Sequence, residues 1–177
     1  VHNVVNMGVS HIRATAKDVV GNVWVSGSMS MQTSFMGFGP FAQFAEQLLV
    51  ARLDGTLSTA SAVYTCEAAG VLVVMMTGDK VGGMWTMAIH GTGMALNWDV
   101  GPYTMTRTSL STKHPVLLHH TASMALVGGL IVRSTAVDDG YALTPHGGAG
   151  VIVSVQTQAL QMTVGSFVSP TATSGGF

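Results

Sequence analysis

Short stretches in which apolar and polar residues alternate constrain the fold of this chain most. Over residues 22–32, valine, glycine and methionine occupy every second position, and Asn, Trp, Ser and Gln occupy the positions between them. A period of two is that of a β-strand with one buried face. This segment therefore predicts a half-buried strand.

Most of the remaining chain has the same β character. Its segments are rich in Val, Thr, Tyr and Met and are bounded by turn-forming residues. They predict strands at residues 56–66, 71–77, 84–90, 94–98, 103–110, 124–137, 151–156 and 160–164. Loops or turns are predicted at residues 54–55, 67–70, 78–83, 91–93, 138–140 and 145–150. Within the longest strand, Gly128-Gly129 predicts a bulge or a close backbone approach.

One segment has a helical pattern. In residues 40–50, apolar side chains recur at Phe41, Phe44, Ala45 and Leu48, the i, i+3, i+4 and i+7 spacing of an amphipathic helix. Pro40 suits the first helical turn. We therefore predict one short helix here.

About eight strands with one early helix predict a two-sheet β-sandwich or a barrel. No repeat of fixed period is present, which disfavours propellers and solenoids. The 177 residues suit a single domain. We assign residues 1–177 to it, with residues 1–20 as an N-terminal arm and residues 169–177 as a C-terminal arm.

The charge content limits what the chain does. Hydrophobic residues make up 47% of the chain and charged residues only 8%, where about a quarter is usual. A surface so poor in charge is better suited to being covered by neighbouring molecules, so an oligomer is expected. The net charge is −1 and no run of Lys or Arg is present, which disfavours an electrostatic nucleic-acid clamp.

The apolar runs do not predict a membrane protein. Those at residues 68–76 and 124–132 are about half the length of a spanning helix and contain glycine and valine, as buried strands do. Residues 1–5 lack the charged start and apolar stretch of a signal peptide. No membrane contact is expected.

A resemblance to a known family rests on residues 91–101, Gly-Thr-Gly-Met-Ala-Leu-Asn-Trp-Asp-Val-Gly. They resemble the Gly-Thr-His-x-x-x-Trp-Asp-x-Gly segment of coat proteins of picorna-like viruses. Gly93 stands where that family often has histidine, and one extra residue precedes Trp98. The order of the neighbouring segments is also similar over residues 22–167, and the tight loops are most similar to plant coat proteins of the comovirus or nepovirus type.

The resemblance implies an eight-stranded antiparallel jelly-roll β-sandwich with one short helix before its third segment. It further implies a structural capsid protein that assembles with copies and sister coat domains into an icosahedral shell around an RNA genome. Its partners would then be other capsid chains, with the genomic RNA enclosed. Its location would be the virion, with the host cytoplasm during assembly.

The motif residues Trp98, Asp99 and Gly101 have a structural interpretation. An indole fills a large gap between sheets and needs one partner for its N–H. An aspartate shapes a turn by binding backbone N–H groups. A glycine permits a backbone angle that is unfavourable for other residues.

Catalytic and metal sites are not predicted, and we expect neither an enzyme nor a cofactor. His119 and His120 are adjacent, so in a strand they point to opposite faces. His90, His114 and His146 are expected in separate loops or strand ends.

Other catalytic and metal motifs are also weak or missing. The Gly-x-Ser-x-Gly motif of a serine nucleophile is not found, and Asp138-Asp139 is only a weak indication of a calcium site. Histidines at an interface would make shell stability pH-dependent.

The lone cysteine and the early phenylalanines have structural interpretations. Cys66 is expected to be a small, buried or half-buried strand residue. Phe35, Phe38, Phe41 and Phe44 suit either a packing cluster or a subunit contact.

Two other functions remain open. A lectin-like or small-ligand-binding β-module would need an exposed aromatic site, for which Trp24, Trp85 and Trp98 are the candidates. A jelly-roll enzyme of the cupin type would need several histidines and a glutamate on facing strands, and Glu46 and Glu67 are the two glutamates in the chain.

Overall fold

The fold was analysed in a computed structural model. It describes residues 10–30, 34–41, 45–67, 71–91, 97–106, 112–134, 138–157, 159, 161–164 and 166–169. Among these residues the regular elements are all β-strands. The prediction of an all-β, antiparallel fold is confirmed.

The described residues form fourteen strands. They are β1 (Ser10–Lys17), β2 (Val23–Met29), β3 (Gln47–Leu53), β4 (Ala60–Glu67), β5 (Val71–Gly78), β6 (Met84–His90), β7 (Asn97–Val100), β8 (Tyr103–Thr106), β9 (His114–His120), β10 (Leu126–Ser134), β11 (Asp138–His146), β12 (Gly150–Thr157), β13 (Met162–Val164) and β14 (Phe167–Val168).

These strands form two main sheets and two hairpins. The first sheet has the order β1-β2-β3-β4, so chain neighbours are also sheet neighbours. The second has the order β14-β13-β10-β9-β6-β5, and β7-β8 and β11-β12 form separate two-stranded units. Every pairing is antiparallel.

The main core lies between the two sheets, as in a β-sandwich. Trp24, Leu48 and Val50 from the first sheet pack with Met84 and Leu118 from the second. The hairpin β7-β8 closes this core with three further apolar side chains, Trp98, Val100 and Met105.

The outer faces of both sheets are covered as well. On the first sheet, Val25, Leu49 and Ala51 pack with Phe35 and Met36 from the segment before β3. On the second sheet, a cluster of Trp85, Met87 and Leu117 is covered by side chains of the hairpin β11-β12. This layering buries β3, β6 and β9 on both faces, whereas β1 and β12 keep several exposed residues.

Double coverage overturns one sequence expectation. Residues 22–32 do contain the strand β2, but both of its faces are buried, with Trp24 facing the inter-sheet core and Val25 facing the outer cluster. The half-buried interpretation was wrong because the segment containing Phe35 covers the side expected to face solvent.

The predicted helix at residues 40–50 is also wrong where the structure describes it. Gln47–Val50 belongs to β3, and residues 45–46 are not helical. Leu48 and Val50 face the inter-sheet core, whereas Leu49 and Ala51 face the outer cluster. An unbroken apolar run is the pattern of a strand buried on both faces, which periodicity alone does not separate from a helix. Residues 42–44, and with them Phe44, lie outside the described residues.

Several strand limits also differ from expectation. Residues 138–140 and 145–146, which were predicted as loops, belong to β11. The proline at position 145 is accommodated because a proline is tolerated in an edge strand. Residues 56–59 form a turn before β4. Of the strand expected at 94–98, the described residues 97–98 belong to β7, which continues to Val100. Residues 94–96, 107–110 and 135–137 fall outside the described residues. Strands β1 and β9 were not predicted; β1 lies in the segment assigned as an arm.

The glycine pair in β10 has the predicted role. The register with β9 shifts between Leu126 and Gly128, as at a bulge. A side chain at Gly129 would collide with Met105 of the hairpin β7-β8. The glycines therefore allow this hairpin to lie close against β10.

Five short connections meet at one end of the sandwich, which we call the turn end. They are residues 18–22, 54–59, 79–83, 121–125 and 147–149, which join β1-β2, β3-β4, β5-β6, β9-β10 and β11-β12. Within the first sheet Trp24 pairs with Arg52, and within the second Met84 pairs with Gly78 and His120. Gly78 lies next to the Lys17 backbone, so the first four connections are at the same end. The backbone N–H of Lys80 donates to the Gly148 carbonyl at 2.9 Å and adds the fifth.

Candidate functional site

Aspartates organise three of the five turns at the turn end. The Asp18 carboxylate accepts hydrogen bonds from the backbone N–H groups of Val20 (3.1 Å) and Asn22 (2.9 Å). It also accepts the indole N–H of Trp24 at 3.0 Å. Burial raises the pKa of Asp18, but these hydrogen bonds outweigh it and hold the pKa below its ordinary value.

The turn after β3 repeats this arrangement. The Asp54 carboxylate accepts the backbone N–H of Ser58 at 2.9 Å and the hydroxyl of Thr56 at 2.8 Å. The Thr56 hydrogen bond contributes most to lowering the pKa of Asp54. In all three turns the aspartate binds the N–H of the residue four positions later.

Asp79 joins its own turn to a distant strand. Its carboxylate accepts the N–H groups of Val81 (2.8 Å) and Gly83 (2.7 Å). The second oxygen accepts Nε2–H of His119, from the end of β9, at 2.8 Å. Burial raises the pKa of Asp79, and the bonds from His119 and the backbone lower it further than burial raises it. A side chain at Gly83 would overlap this pair, so the pair requires glycine there.

Trp85 restricts the orientation of the His119 ring by stacking against it. The two rings stack with centroids 4.4 Å apart and planes 6° apart. The Trp85 indole N–H donates to the Ala149 carbonyl at 2.8 Å. The turns at residues 79–83, 121–125 and 147–149 are thus tied together through β6 and β9.

A shallow depression of about 470 Å³ opens beside this cluster. Asp79 and His119 contribute polar atoms, while Val81, Val127 and Ala149 contribute apolar walls. Its lining therefore combines a few polar groups with apolar side chains.

Apolar side chains protrude from the turn end. Val20 is 76% exposed, Val81 64% and Val19 61%. Leu57 and Val127 are also exposed. The turns beneath them are braced, since the Arg52 guanidinium donates to the Ala122 carbonyl at 2.6 Å. The turn end therefore carries several exposed apolar side chains next to hydrogen-bonded turns.

The adjacent histidines lie on opposite faces of β9, as predicted. His119 faces the outer layer, and His120 lies fully buried with its ring 4.7 Å from that of Tyr64. Neither ring nitrogen of His120 has a hydrogen-bond partner within the described part of the chain. Burial, and to a smaller extent the charge of His119, lowers the pKa of His120 from 6.5 to about 4.

The remaining histidines are placed partly as expected. His90 ends β6, His114 begins β9 and His146 ends β11. His90 and His114 are nevertheless direct partners across the β6-β9 pair, which corrects the expectation of separate locations. In the described residues no three His, Cys, Asp or Glu side chains form a group able to hold a metal ion.

The motif residues Trp98, Asp99 and Gly101 lie in the hairpin β7-β8. The buried Trp98 donates its N–H to the Glu67 carbonyl at 2.6 Å. Asp99 accepts the hydroxyl of Thr104 from the opposite strand at 2.7 Å. Gly101 has φ +57° at the first of two turn positions, where hairpins favour glycine. The motif shapes this hairpin, and none of its three residues lines the turn-end depression.

Other residues singled out from the sequence have structural positions. Cys66 is half-buried in β4, and burial raises the pKa of its thiol to about 12. Phe35 is buried beneath the first sheet, and the rings of Phe38 and Phe41 stack at 6.4 Å. The side chains of Asp138 and Asp139 lie outside the described part of the structure.

The three tryptophans do not form an exposed aromatic site. Trp24 and Trp98 are buried between the sheets, and Trp85 is buried beneath the hairpin β11-β12. The structure, in its described ranges, contains no helix long and apolar enough to span a membrane.

Sequence reasoning identified the turns at residues 54–55, 78–83 and 147–149 but missed those at residues 18–22 and 121–125 and the Asp79–His119 pair. In the sequence, Asp79 follows an apolar strand segment, and this pattern predicted only a loop at residues 78–83. The partner lies 40 positions away, so it depends on the pairing of β6 with β9.

Comparisons with known proteins add no relative. No protein-family model, curated protein or solved structure matches this chain.

Proposed function

We propose that this chain is a structural shell protein, which assembles with copies of itself and with sister domains into an icosahedral capsid around an RNA genome. The turn end carries the proposal. It presents exposed Val19, Val20, Leu57 and Val81 on turns held by aspartates, and exposed Val127 at the start of β10 beside the turn that Arg52 binds. Exposed apolar side chains on hydrogen-bonded turns favour a protein contact, because the backbone that carries them has little conformational freedom left to lose on binding.

The charge distribution supports the same proposal. Only 15 of 177 residues are Lys, Arg, Asp or Glu. Three of the carboxylates, Asp18, Asp54 and Asp79, are engaged within their own turns. Copies that meet at the turn end therefore have few charges to desolvate. Many modest contacts of this type stabilise a closed assembly, because binding is multivalent.

The family resemblance supplies the specific form of the proposal. The coat-protein resemblance implies a central jelly-roll strand and the turn after it. Trp98, Asp99 and Gly101 do lie in a strand and the turn that follows, but in the separate two-stranded hairpin β7-β8. The jelly-roll connectivity stays a prediction, and the strand order weighs against it. A jelly roll interleaves distant strands through Greek keys, whereas β1 to β4 are consecutive neighbours. Enclosure of RNA rests on the resemblance alone.

The depression beside His119 favours a second candidate, a small-ligand-binding β-module. It offers about 470 Å³ with apolar walls and an imidazole held by Asp79. Such sites are usually apolar with a few fixed polar groups. The burial of all three tryptophans weighs against a lectin-like version of this candidate.

Charge placed at the turn end tests the shell proposal. The double substitution Val20→Asp and Val81→Asp is expected to raise the concentration needed for assembly by about 100-fold, since each contact would lose two apolar side chains and gain charges to desolvate. Light scattering during assembly, followed by electron microscopy, measures the effect. Circular dichroism is expected to be unchanged, because both side chains are exposed.

Leu72→Asp is the matched control. Leu72 is 48% exposed and lies at the opposite end of β5 from the turn end. Assembly of this variant is expected to match that of the unaltered chain. Equal assembly by the double variant would contradict the turn end as a contact surface.

A further inference from the structure

The strand β12 has an open edge. It pairs with β11 on one side, and no strand of the described residues lies on its other side. Its eight residues, Gly-Val-Ile-Val-Ser-Val-Gln-Thr, include no charge and no proline. A long, uncharged edge rich in β-branched residues is a template for pairing with another strand.

The other long edge strands of the two sheets differ from β12. Strand β1 carries Arg13 and Lys17, and charges on an edge oppose pairing. Strand β5 lies against β1, with Gly78 next to the Lys17 backbone. Strand β4 has the Trp98 indole bound to its last carbonyl. Among the described edges, β12 combines length, lack of charge and lack of cover.

The register shows which backbone groups of β12 point outward. Pro145 lies opposite Val151. Because proline has no N–H to donate, this is a non-hydrogen-bonded pair of the antiparallel ladder, in which the backbone groups point away from the partner strand. Alternation along the strand then gives Val153, opposite Leu143, the same outward orientation. The N–H and C=O groups of Val151, Val153 and Val155 therefore face the open edge.

The edge is complementary to itself. In an antiparallel pair of two β12 strands centred on Val153, Val151 of one copy lies opposite Val155 of the other. Ile152 of one copy likewise faces Ser154 of the other on the exposed side. No like charges oppose each other, and the apolar faces of both hairpins continue on the same side of the sheet.

We propose that β12 pairs antiparallel with β12 of a second copy of this chain, forming the four-stranded sheet β11-β12-β12-β11 across a two-fold axis. This contact goes beyond the shell proposal and does not depend on it, because a free dimer satisfies it. Main-chain hydrogen bonds supply the pairing, and the two-fold makes the contact isologous.

Two measurements on the full chain test the pairing. Sedimentation velocity is expected to show a concentration-dependent dimer. Hydrogen exchange is expected to show that the amides of Val151, Val153 and Val155 become protected as the dimer forms. Val153→Pro removes the central outward donor and is expected to raise the dimer dissociation constant by about tenfold or more.

Ile152→Ser is the matched control. It removes an exposed apolar side chain from the same strand but leaves the outward backbone groups intact, so the dimer is expected to persist. A chain that stays monomeric, or a dimer in which the three amides exchange freely, would overturn the proposal. Equal protection of these amides at every protein concentration would also overturn it, because another part of the same chain would then cover the edge. If Val153→Pro fails to fold, exchange in the unaltered chain decides.

Discussion

Replacing Trp24 by alanine is expected to lower the free energy of unfolding by about 4 kcal/mol, the largest effect of any single substitution considered. The Trp24 side chain is fully buried between the sheets, so its removal costs both transfer free energy and a cavity. It also removes the indole N–H that binds Asp18. A loss of this size is a large share of the about 5–15 kcal/mol by which domains are stable.

Urea unfolding followed by circular dichroism measures this effect. Trp24→Phe is expected to lie between the parent chain and Trp24→Ala, because it refills most of the volume but leaves Asp18 without that donor. Val19→Ala is the control in the neighbouring turn and is expected to change stability by less than about 0.5 kcal/mol, since Val19 is 61% exposed. A loss below about 1 kcal/mol for Trp24→Ala would contradict the inter-sheet position of this indole.

Acid is expected to destabilise the fold through His120. Its pKa is about 4 in the folded chain and 6.5 ordinarily, so between these values the unfolded chain binds a proton that the folded chain does not. The contribution of His120 is therefore complete above about pH 6.5 and lost as the pH falls to 4. It amounts to about 3 kcal/mol.

The substitution His120→Phe isolates this contribution. Phenylalanine keeps a ring against Tyr64 and has no nitrogen to leave unpaired in the core. The free energy of unfolding of this variant is expected to fall less steeply between pH 6.5 and 4.5 than that of the parent. Asp18 and Asp79 act in the same direction but only near and below pH 3.8, outside that window. Equal slopes for the two chains would show that His120 is not the acid-sensitive group.

The strands bounded by clear turn signals were predictable from sequence. Strand β6 has the predicted limits, because Gly82-Gly83 precedes it and Gly91 follows it. Strand β3 was not predictable. Its apolar run Leu48-Leu49-Val50 packs into two separate cores, one on each face of the sheet, so apolar and polar residues do not alternate along it.

Contacts that depend on strand pairing were beyond the sequence. An aspartate after an apolar segment indicates a turn, and Asp79 forms one. That His119 meets this aspartate follows from the β6-β9 register, which places Trp85 opposite His119. Strand β11 was hidden by Pro145 and Gly140, residues that usually mark loops but are accepted in an edge strand.

Negative-stain electron microscopy of the native material tests the central claim, assembly into a shell, most directly. The proposal predicts a population of uniform closed particles that contains this chain. A field of small separate oligomers under native conditions would contradict it. The small-ligand module, with its depression at His119, would then become the leading hypothesis.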